Sequence, residues 1–267
     1  MAAQQGAARR LITMEPSGDP RRRRRRGLAF VSVVGELFLT AGVISFLFIG
    51  WQLWLNDLVV GQEQRSNALE LEDEWHSEGS PSVPPTTDAS NTDYGIPIVG
   101  DVPAFATGFA TLYVPRFGAD YVRPIGQGVS LASVLNNPKL GVGHYPDTQL
   151  PGELGNFALA AHRTTWGAPF KQIADLRVGD KLYVQTADGW YTYAFRTLEY
   201  VWPTGVGVLE PVPQAPGTDP LDRVITLTSC NPMFSAAERI VAYGVLEHWQ
   251  PATAGMPAQL AEVIEEA

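Results

Sequence analysis

A single cysteine, Cys230, is the residue of this sequence best suited to nucleophilic catalysis. It ends a β-branched run, Val224–Ser229, and Asn231-Pro232 follows it. The thiol is therefore predicted at a strand end beside a turn, where a substrate can reach it. A free thiol is only a few per cent thiolate at neutral pH, so a nucleophilic cysteine needs a base or a cationic partner. The alternative interpretation is that Cys230 packs as a small buried hydrophobe.

The next predicted strand supplies a cationic partner for this thiol. Arg239 opens the run Arg239–Leu246, nine residues after Cys230. If the two strands pair antiparallel across the intervening turn, the guanidinium and the thiol lie close together.

Four histidines are candidates for the base: His76, His144, His162 and His248. His76 lies in a polar segment ahead of the predicted strands, and His248 follows the last strand, which indicates a surface position. His162 ends the run FALAAH, and His144 lies in GVGHY. Spacing alone leaves both His162 and His144 open as the partner of the thiol.

The strands that must position these residues begin near residue 104. From there, seven short runs alternate with Gly and Pro turns: FATLYV, YVRPI, FALAAH, KLYVQT, YTYAFR, RVITLT and RIVAYGVL. This pattern predicts a β-sandwich or a closed β-barrel. Asp188–Trp190 is typical of a hairpin turn, and Ser130–Asn136 predicts one short helix with Ser130 as its N-cap.

The N-terminal region predicts a membrane anchor. Six arginines, Arg21–Arg26, precede the run Leu28–Leu55, whose only ionisable side chain is Glu36. Within this run, Phe30–Gly50 has 21 residues, enough to cross a hydrocarbon core of about 30 Å. A cleaved signal peptide is the alternative, but its apolar core is shorter and ends in small residues. The positive-inside rule keeps the arginines in the cytoplasm and exports everything after about residue 56.

Charge is unevenly distributed along the chain. Residues 1–60 carry eight basic and four acidic side chains, whereas residues 61–267 carry eleven basic and twenty-four acidic ones. Nucleic-acid affinity depends on neutralising phosphates, so the acidic body argues against a nucleic-acid partner. Ahead of the strands, Gln62–Glu78 is charged and compatible with a short helix. Gly79–Asp93 is rich in Pro, Ser and Thr, which predicts an extended tether.

Three separated motifs resemble the sortase family, cysteine transpeptidases of Gram-positive cell envelopes. They are GHYPDTQLPGELGNFALAAHR, VITLTSCNP and a following Arg, and they fall within about residues 104–249. The matching positions are Thr148, Pro151, Gly152, Gly155, Asn156, His162, Cys230 and Arg239. Ala161 and Ser229 stand where many members have Gly and Thr. The run Leu112–Ile125 and the TSCNP form are most similar to class E, and Asp101-Val102-Pro103 does not match the lid motif of class C.

The resemblance implies an all-β fold: an eight-stranded sortase-type β-barrel with few short helices, preceded by one transmembrane helix. It implies that Cys230 attacks the Thr carbonyl of an LPxTG-like sorting signal, LAxTG in class E, and forms a thioacyl-enzyme. His162 would pass the proton between leaving and incoming amines, and Arg239 would donate hydrogen bonds to the oxyanion or the signal backbone. In this family the competent pair is a thiolate and an imidazolium.

Four further residues are expected to line or shape the substrate groove: His144, Tyr145, Thr164 and Ser229. The loop Glu210–Pro220 occupies the place where the family keeps its signal-specificity loop, and its prolines predict a preshaped wall. No cofactor is expected, and the scattered carboxylates predict no metal site, calcium included.

The expected partners are surface proteins with C-terminal LAxTG or LPxTG signals and a lipid-linked peptidoglycan precursor that supplies the acceptor amine. The expected location is the cell membrane, with a cytoplasmic N-terminus, a single pass and an extracellular catalytic domain. Two alternatives remain: a different Cys hydrolase or L,D-transpeptidase, although TSCNP lacks the Gly that the latter carries before Cys, and a non-catalytic β module.

The sequence predicts five segments. They are a basic cytoplasmic segment (1–27), a transmembrane helix (28–55), an extracellular tether (56–103), the catalytic barrel (104–250) and a C-terminal tail (251–267).

Overall fold

The computed structural model describes residues 20–51, 55–77 and 92–266, with side chains from residue 30 onward. It divides into two compact units, residues 1–50 and residues 51–267. Residues 1–19 of the predicted basic segment, and most of the predicted tether Gly79–Asp93, lie outside the described residues.

The first unit contains helix α1 (Pro20–Gly50). Within it, Phe30–Gly50 has 21 residues, a mean hydropathy of 2.1 and no buried residue in its most apolar window. Its length and composition fit a membrane span, and a signal sequence near an N-terminus has the same two properties.

The second unit is built on a closed barrel of eight strands. They are β1 (Gly108–Tyr113), β2 (Val122–Gln127), β3 (Val142–His144), β4 (Gly155–Ala161), β5 (Lys181–Gln185), β6 (Gly189–Val201), β7 (Arg223–Asn231) and β8 (Glu238–Pro251). Around the barrel they follow the order β1-β2-β3-β4-β7-β8-β6-β5. The predicted all-β barrel is therefore confirmed. Seven of the strands are the apolar runs identified in the sequence, and the eighth is β3, which has only three residues.

Two of the eight strand pairs, β2–β3 and β4–β7, are parallel, and the others are antiparallel. Side chains that alternate along each strand fill the barrel, and Leu112, Phe157 and Ile225 are among those without solvent contact. Because the sheet closes on itself, it leaves no long free strand edge.

The hairpin and the short helix expected from the local sequence are present, although the turn begins before the predicted Asp188–Trp190, whose last residue pairs in β6. Strands β5 and β6 are joined at residues 186–188, where the Thr186 N–H donates to the Gly189 carbonyl at 2.9 Å. The short helix spans Leu131–Leu135, and the Ser130 hydroxyl accepts from the Ser133 N–H at 3.3 Å. This helix ends at Asn136, a residue that contributes to the site described below.

Helix α2 (Asn56–Ser77) differs from the tether expected over residues 56–103. It packs on β1 and β2 and belongs to the same unit as the barrel. The helix considered for the charged run Gln62–Glu78 is present within α2, and a stripe of mostly small and polar residues on it faces the barrel. Two polar members of this stripe, Gln64 and Glu72, are buried and hydrogen-bonded to residues of the barrel unit.

The C-terminal tail also contacts the barrel unit. Helix α3 (Ala258–Glu265) buries Leu260 and Ala261. Leu260 packs in a cluster that includes Ala68 of α2, Tyr113 of β1 and Trp190 of β6.

Candidate active site

Cys230 and Arg239 lie directly opposite each other at one end of the barrel. Cys230 is the second-to-last residue of β7, and its register partner in the antiparallel strand β8 is Arg239. Both side chains are half-buried, and the cysteine is free. The antiparallel pairing expected from the sequence is therefore present, and the thiol is not sealed in the core.

His162 reaches the same end of the barrel through the parallel pair β4–β7. In this pair Ala160 is opposite Thr228, so the same register carried two residues further brings His162 beside Cys230. Two side-chain bonds tie the strands together next to this point. The Ser229 hydroxyl donates to the Ala161 carbonyl at 2.8 Å, and the Thr228 hydroxyl donates to the Leu159 carbonyl at 3.0 Å.

The His162 ring is held by the short helix that precedes β3. Its Nε2 lies 2.8 Å from the Oδ1 of Asn136, an acceptor, so Nε2 carries the proton in the neutral ring. Burial lowers the pKa of His162 below its usual 6.5, and the negative charge of Asp57 opposes that shift. The neutral imidazole is therefore the majority form at neutral pH.

A hydrogen-bond chain links the residues that adjoin these three side chains. The Arg163 guanidinium donates to the Asn231 amide oxygen, and the Asn231 amide donates to the Glu238 carboxylate at 2.9 Å. Arg163 follows His162, Asn231 follows Cys230, and Glu238 precedes Arg239. The chain thus connects the ends of β4, β7 and β8. The sequence analysis did not identify it, although the direct adjacency of its members to the three site residues was a usable signal.

His144 does not join this group. It is 1 % exposed, with Nδ1 2.6 Å from the Gln127 side-chain oxygen, and Nε2 2.9 Å from the Gln149 carbonyl and 3.1 Å from the Thr148 hydroxyl, which can donate to a neutral ring. Burial lowers the pKa of His144 to about 4, so the ring is neutral. Both ring nitrogens are engaged inside the protein, which is an arrangement suited to structure rather than to substrate contact.

The other three residues expected at the groove lie beside the site and mainly support it. Ser229 is buried, with its hydroxyl engaged at Ala161. Tyr145 packs against the cluster of Val134, Leu135, Leu140 and Ala160, and its hydroxyl lies 3.1 Å from that of Thr228. Thr164 is half-buried at a cavity of about 200 Å³ that Met233 and Phe234 also line. Thr164 is thus the one of the four that lines this cavity, together with residues that follow His162 and Cys230 in the chain.

The loop Glu210–Pro220 is fixed to the barrel at its start. The amide of buried Asn156, in β4, donates to the Val208 and Glu210 carbonyls, both at 3.0 Å. The Thr226 hydroxyl of β7 in turn donates to the Asn156 amide oxygen at 2.6 Å. Within the described residues, no group of three or more His, Cys, Asp or Glu side chains has the spacing of a metal site.

The fold and the site together define a class of protein. Its members combine a closed eight-stranded β-barrel with a half-exposed thiol, an imidazole and a guanidinium at one end of the barrel. The Sortase domain family model matches residues 112–247. The chain is 34 % identical to sortase SrtE1 of Streptomyces coelicolor over 90 % of its own length, and 33 % identical to SrtE2 of the same organism over 87 %. It spans 64 % of the length of SrtE1 and 89 % of that of SrtE2.

Solved structures agree with this assignment. The SrtA sortase from Actinomyces oris matches with a TM-score of 0.57 and 34 % identity, over 62 % of this chain and 94 % of that one. Sortase E1 from Streptomyces coelicolor, solved with a tripeptide in the active site, matches with a TM-score of 0.54 and 37 % identity, over 58 % of this chain and 97 % of that one. The chain belongs to the sortase family of cysteine transpeptidases, and its relatives include class E sortases.

Proposed function

We propose that this chain cleaves an LPxTG-like sorting signal between Thr and Gly and transfers the signal-bearing protein to an amine of a peptidoglycan precursor. The observation that carries the proposal is the convergence of Cys230, His162 and Arg239 at one barrel rim through two strand registers. Membership of the sortase family supports the reaction class.

In the first step, the Cys230 Sγ attacks the carbonyl carbon of the signal's Thr. The C–N bond to Gly breaks, and the proton held by His162 goes to the departing Gly amine. In the second step, the acceptor amine attacks the thioester carbon and loses a proton to His162, and the Sγ departs as thiolate. One amide is broken and one is formed, so the cycle needs no oxidant, reductant or cofactor.

The lowered pKa of His162 bears on the turnover rate. The competent pair is thiolate with imidazolium, whereas burial favours the neutral ring. The competent pair is therefore a minority of the resting enzyme, and slow turnover is expected.

Arg239 provides the donors for the oxyanion or the signal backbone. Its Nη1 donates to the Ala236 and Glu238 carbonyls at 3.1 and 3.0 Å, which fixes the guanidinium relative to the β7–β8 turn. In the proposed role, its Nε and Nη2 groups then face the developing negative charge, where fixed donors contribute most to rate.

Class E kinship supports LAxTG as the preferred signal and the loop Glu210–Pro220 as the wall that selects it. The apolar helix α1 supports a single-pass anchor. The six arginines before it support a cytoplasmic N-terminus, with the barrel outside the cell and facing lipid-linked precursors.

The test uses the full chain in detergent micelles with LAxTG and LPxTG peptides, with and without a Gly-based amine. Intact-protein mass spectrometry is expected to reveal a thioacyl adduct on the wild type and none on Cys230→Ala, and added amine is expected to yield a transfer product. Cleavage with no effect of amine would instead identify a hydrolase, and absence of both adduct and cleavage would identify a non-catalytic module. Preference for LPxTG would correct the signal while leaving the reaction intact.

A further inference from the structure

The loop that follows His162 adopts a conformation that a free chain rarely populates. Thr165, Trp166 and Ala168 have φ values of 66°, 53° and 41°, and Gly167 between them has 79°. Non-glycine residues avoid this left-handed region because Cβ crowds the backbone. Three such residues within four positions persist only where surrounding groups hold them.

Helix α2 supplies the groups that hold this loop. One carboxylate oxygen of Asp57 accepts from the Thr165 N–H and the other from the Gly167 N–H, both at 3.3 Å. The Gln64 amide donates to the Trp166 carbonyl at 3.0 Å. Three consecutive loop residues are thus bonded to two side chains of one helix.

The fit between Gln64 and the loop is close. Gln64 has no exposed surface, and a Cβ added to Gly167 would lie 2.7 Å from its side-chain oxygen. A side chain at this position would collide with buried Gln64, and the positive φ of Gly167 would add strain to any substitution. The loop therefore lies against α2 at a distance that leaves no room for a side chain at position 167, and it cannot move away without losing hydrogen bonds.

The held loop closes back on His162. The Phe170 N–H donates to the His162 carbonyl at 3.0 Å, so residues 163–169 form a ring that returns to the histidine. Asp57 also acts on His162 through charge, in the direction that favours the imidazolium. Other charged or titratable groups on the elements around His162 include Arg163 and Lys171 on the segment after β4, Cys230 on β7, and Glu238 and Arg239 on β8.

We propose that Asp57 and Gln64 of α2 are positioning residues of this enzyme: they hold the loop at residues 165–168 and thereby set the place of His162 beside Cys230. The inference rests on the proposed function, in which His162 carries the proton. In this inference helix α2, which follows the apolar helix in the chain, contributes to the geometry of the catalytic site.

The kinetic test compares Asp57→Asn and Asp57→Ala with wild type, using the full chain in micelles and an LAxTG peptide. Glu63→Gln is the matched control, because Glu63 is an exposed carboxylate on the same helix whose side chain makes no hydrogen bond to the part of the chain that the structure describes. We expect Asp57→Ala to lower kcat about tenfold with little change in KM, since it displaces a proton donor without removing a peptide contact.

The pH profile separates positioning from a general loss of stability. The acid limb of kcat/KM reports the His162 pKa when the competent form is thiolate with imidazolium. Removing the charge of Asp57 lowers that pKa, so the acid limb of Asp57→Asn is expected to move to lower pH. The limb of Glu63→Gln is expected to coincide with that of wild type.

A structural readout keeps this test independent of the proposed function. Hydrogen exchange at the Thr165 and Gly167 amides is expected to accelerate at least tenfold in Asp57→Ala and to stay unchanged in Glu63→Gln. NMR titration of the His162 ring is expected to report a lower pKa in Asp57→Asn. Unchanged exchange, or an unchanged His162 pKa, would overturn the inference even in an active enzyme. If wild type instead forms no Cys230 adduct while exchange and pKa respond as expected, the proposed function fails and the α2–loop coupling stands.

Discussion

His144 is the last residue of β3, and His162 directly follows the neighbouring strand β4. The two rings differ in burial and in hydrogen bonding, which decide their roles. His144 is enclosed, with a hydrogen-bond partner at each ring nitrogen and a pKa lowered to about 4. His162 is half-buried at the rim, and its ring has one recorded partner, Asn136.

The difference shows what makes an imidazole available for chemistry. A ring satisfied on both nitrogens cannot exchange a proton without breaking a buried hydrogen bond, and protonating it would place a charge in the core. A ring held by one bond keeps its orientation while the other nitrogen remains open to a reactant. Spacing in the sequence left the two histidines as alternatives, and the hydrogen-bond partners favour His162.

The largest expected effect tests the rim histidine. We expect His162→Gln to lower kcat for LAxTG transfer by ~10³-fold or more, because the proton transfer to and from the amines is lost. The unfolding temperature is expected to change little, since the side chain is half-buried. Retained turnover in this variant would move the proton-transfer role to another residue.

The second-largest expected effect concerns the enclosed His144, and it is an effect on stability rather than on rate. His144→Ala removes the buried ring and the hydrogen bond that its single N–H donates, which leaves a buried acceptor unsatisfied at a cost of about 1–3 kcal/mol. We expect the thermal unfolding midpoint of the barrel to fall by roughly 5–10 °C, and the rate per folded molecule at a permissive temperature to stay close to wild type. A large loss of rate with unchanged stability would place His144 in the chemistry after all.

The third effect compares two buried titratable groups, Glu72 and His144, whose pKa values are shifted in opposite directions. Burial raises the pKa of Glu72 to about 7, although Tyr113 and Thr111 donate hydrogen bonds to it. Because the folded pKa lies above the unfolded value near 4.5, the contribution of Glu72 is fully present below pH 4.5 and declines as pH rises toward 7. For His144 the folded pKa lies below the unfolded value, so stability declines as pH falls from about 6.5 to 4.

The free energy of unfolding, measured by denaturant titration from pH 4 to 8.5, separates the contributions of these two groups. Glu72→Gln is expected to flatten the decline above pH 5 by about 1–3 kcal/mol and to leave the acid side unchanged. His144→Gln is expected to flatten the acid side alone. Overlapping profiles for Glu72→Gln and wild type would show that the carboxyl titrates as it does in the unfolded chain.

The sequence predicted much of the barrel because seven strands carry long β-branched or aromatic runs between Gly and Pro turns. It missed β3 because a strand of three residues has no readable alternation. The opposition of Cys230 and Arg239 was predictable, since two strands joined by a short turn pair antiparallel. The proximity of His162 was not, because β4 and β7 are parallel and two further strands separate them in the chain. For His162, the resemblance to the family motifs indicated the residue, because strand and turn patterns alone did not.

Helix α2 shows the other limit of the sequence. Its buried polar residues, Gln64 and Glu72, resemble solvent-exposed positions because polarity alone does not reveal a partner distant in the chain. Their partners are Trp166, Thr111 and Tyr113, on elements that only the folded barrel brings to this helix. Long-range polar pairing of this kind has no signature in a single sequence, so a helix over Gln62–Glu78 was foreseen but its packing against the barrel was not.

The smallest expected effect returns to the one bond that orients the rim imidazole. Asn136→Ala removes the acceptor of the His162 Nε2–H and is expected to lower kcat by about tenfold, because the ring keeps its chemistry but loses its orientation. The neighbouring Asn137→Ala is the control, since the Asn137 amide, two residues past the short helix, donates to the Ser133 carbonyl of that helix and not to His162 among the described residues. Asn136→Asp sharpens the test, because a carboxylate in this position stabilises the imidazolium and should move the acid limb of kcat/KM to higher pH, opposite to the shift expected for Asp57→Asn. Equal rates for Asn136→Ala and Asn137→Ala would mean that the strand ends alone orient His162, and that the contrast with the doubly bonded His144 is one of exposure and not of hydrogen bonding.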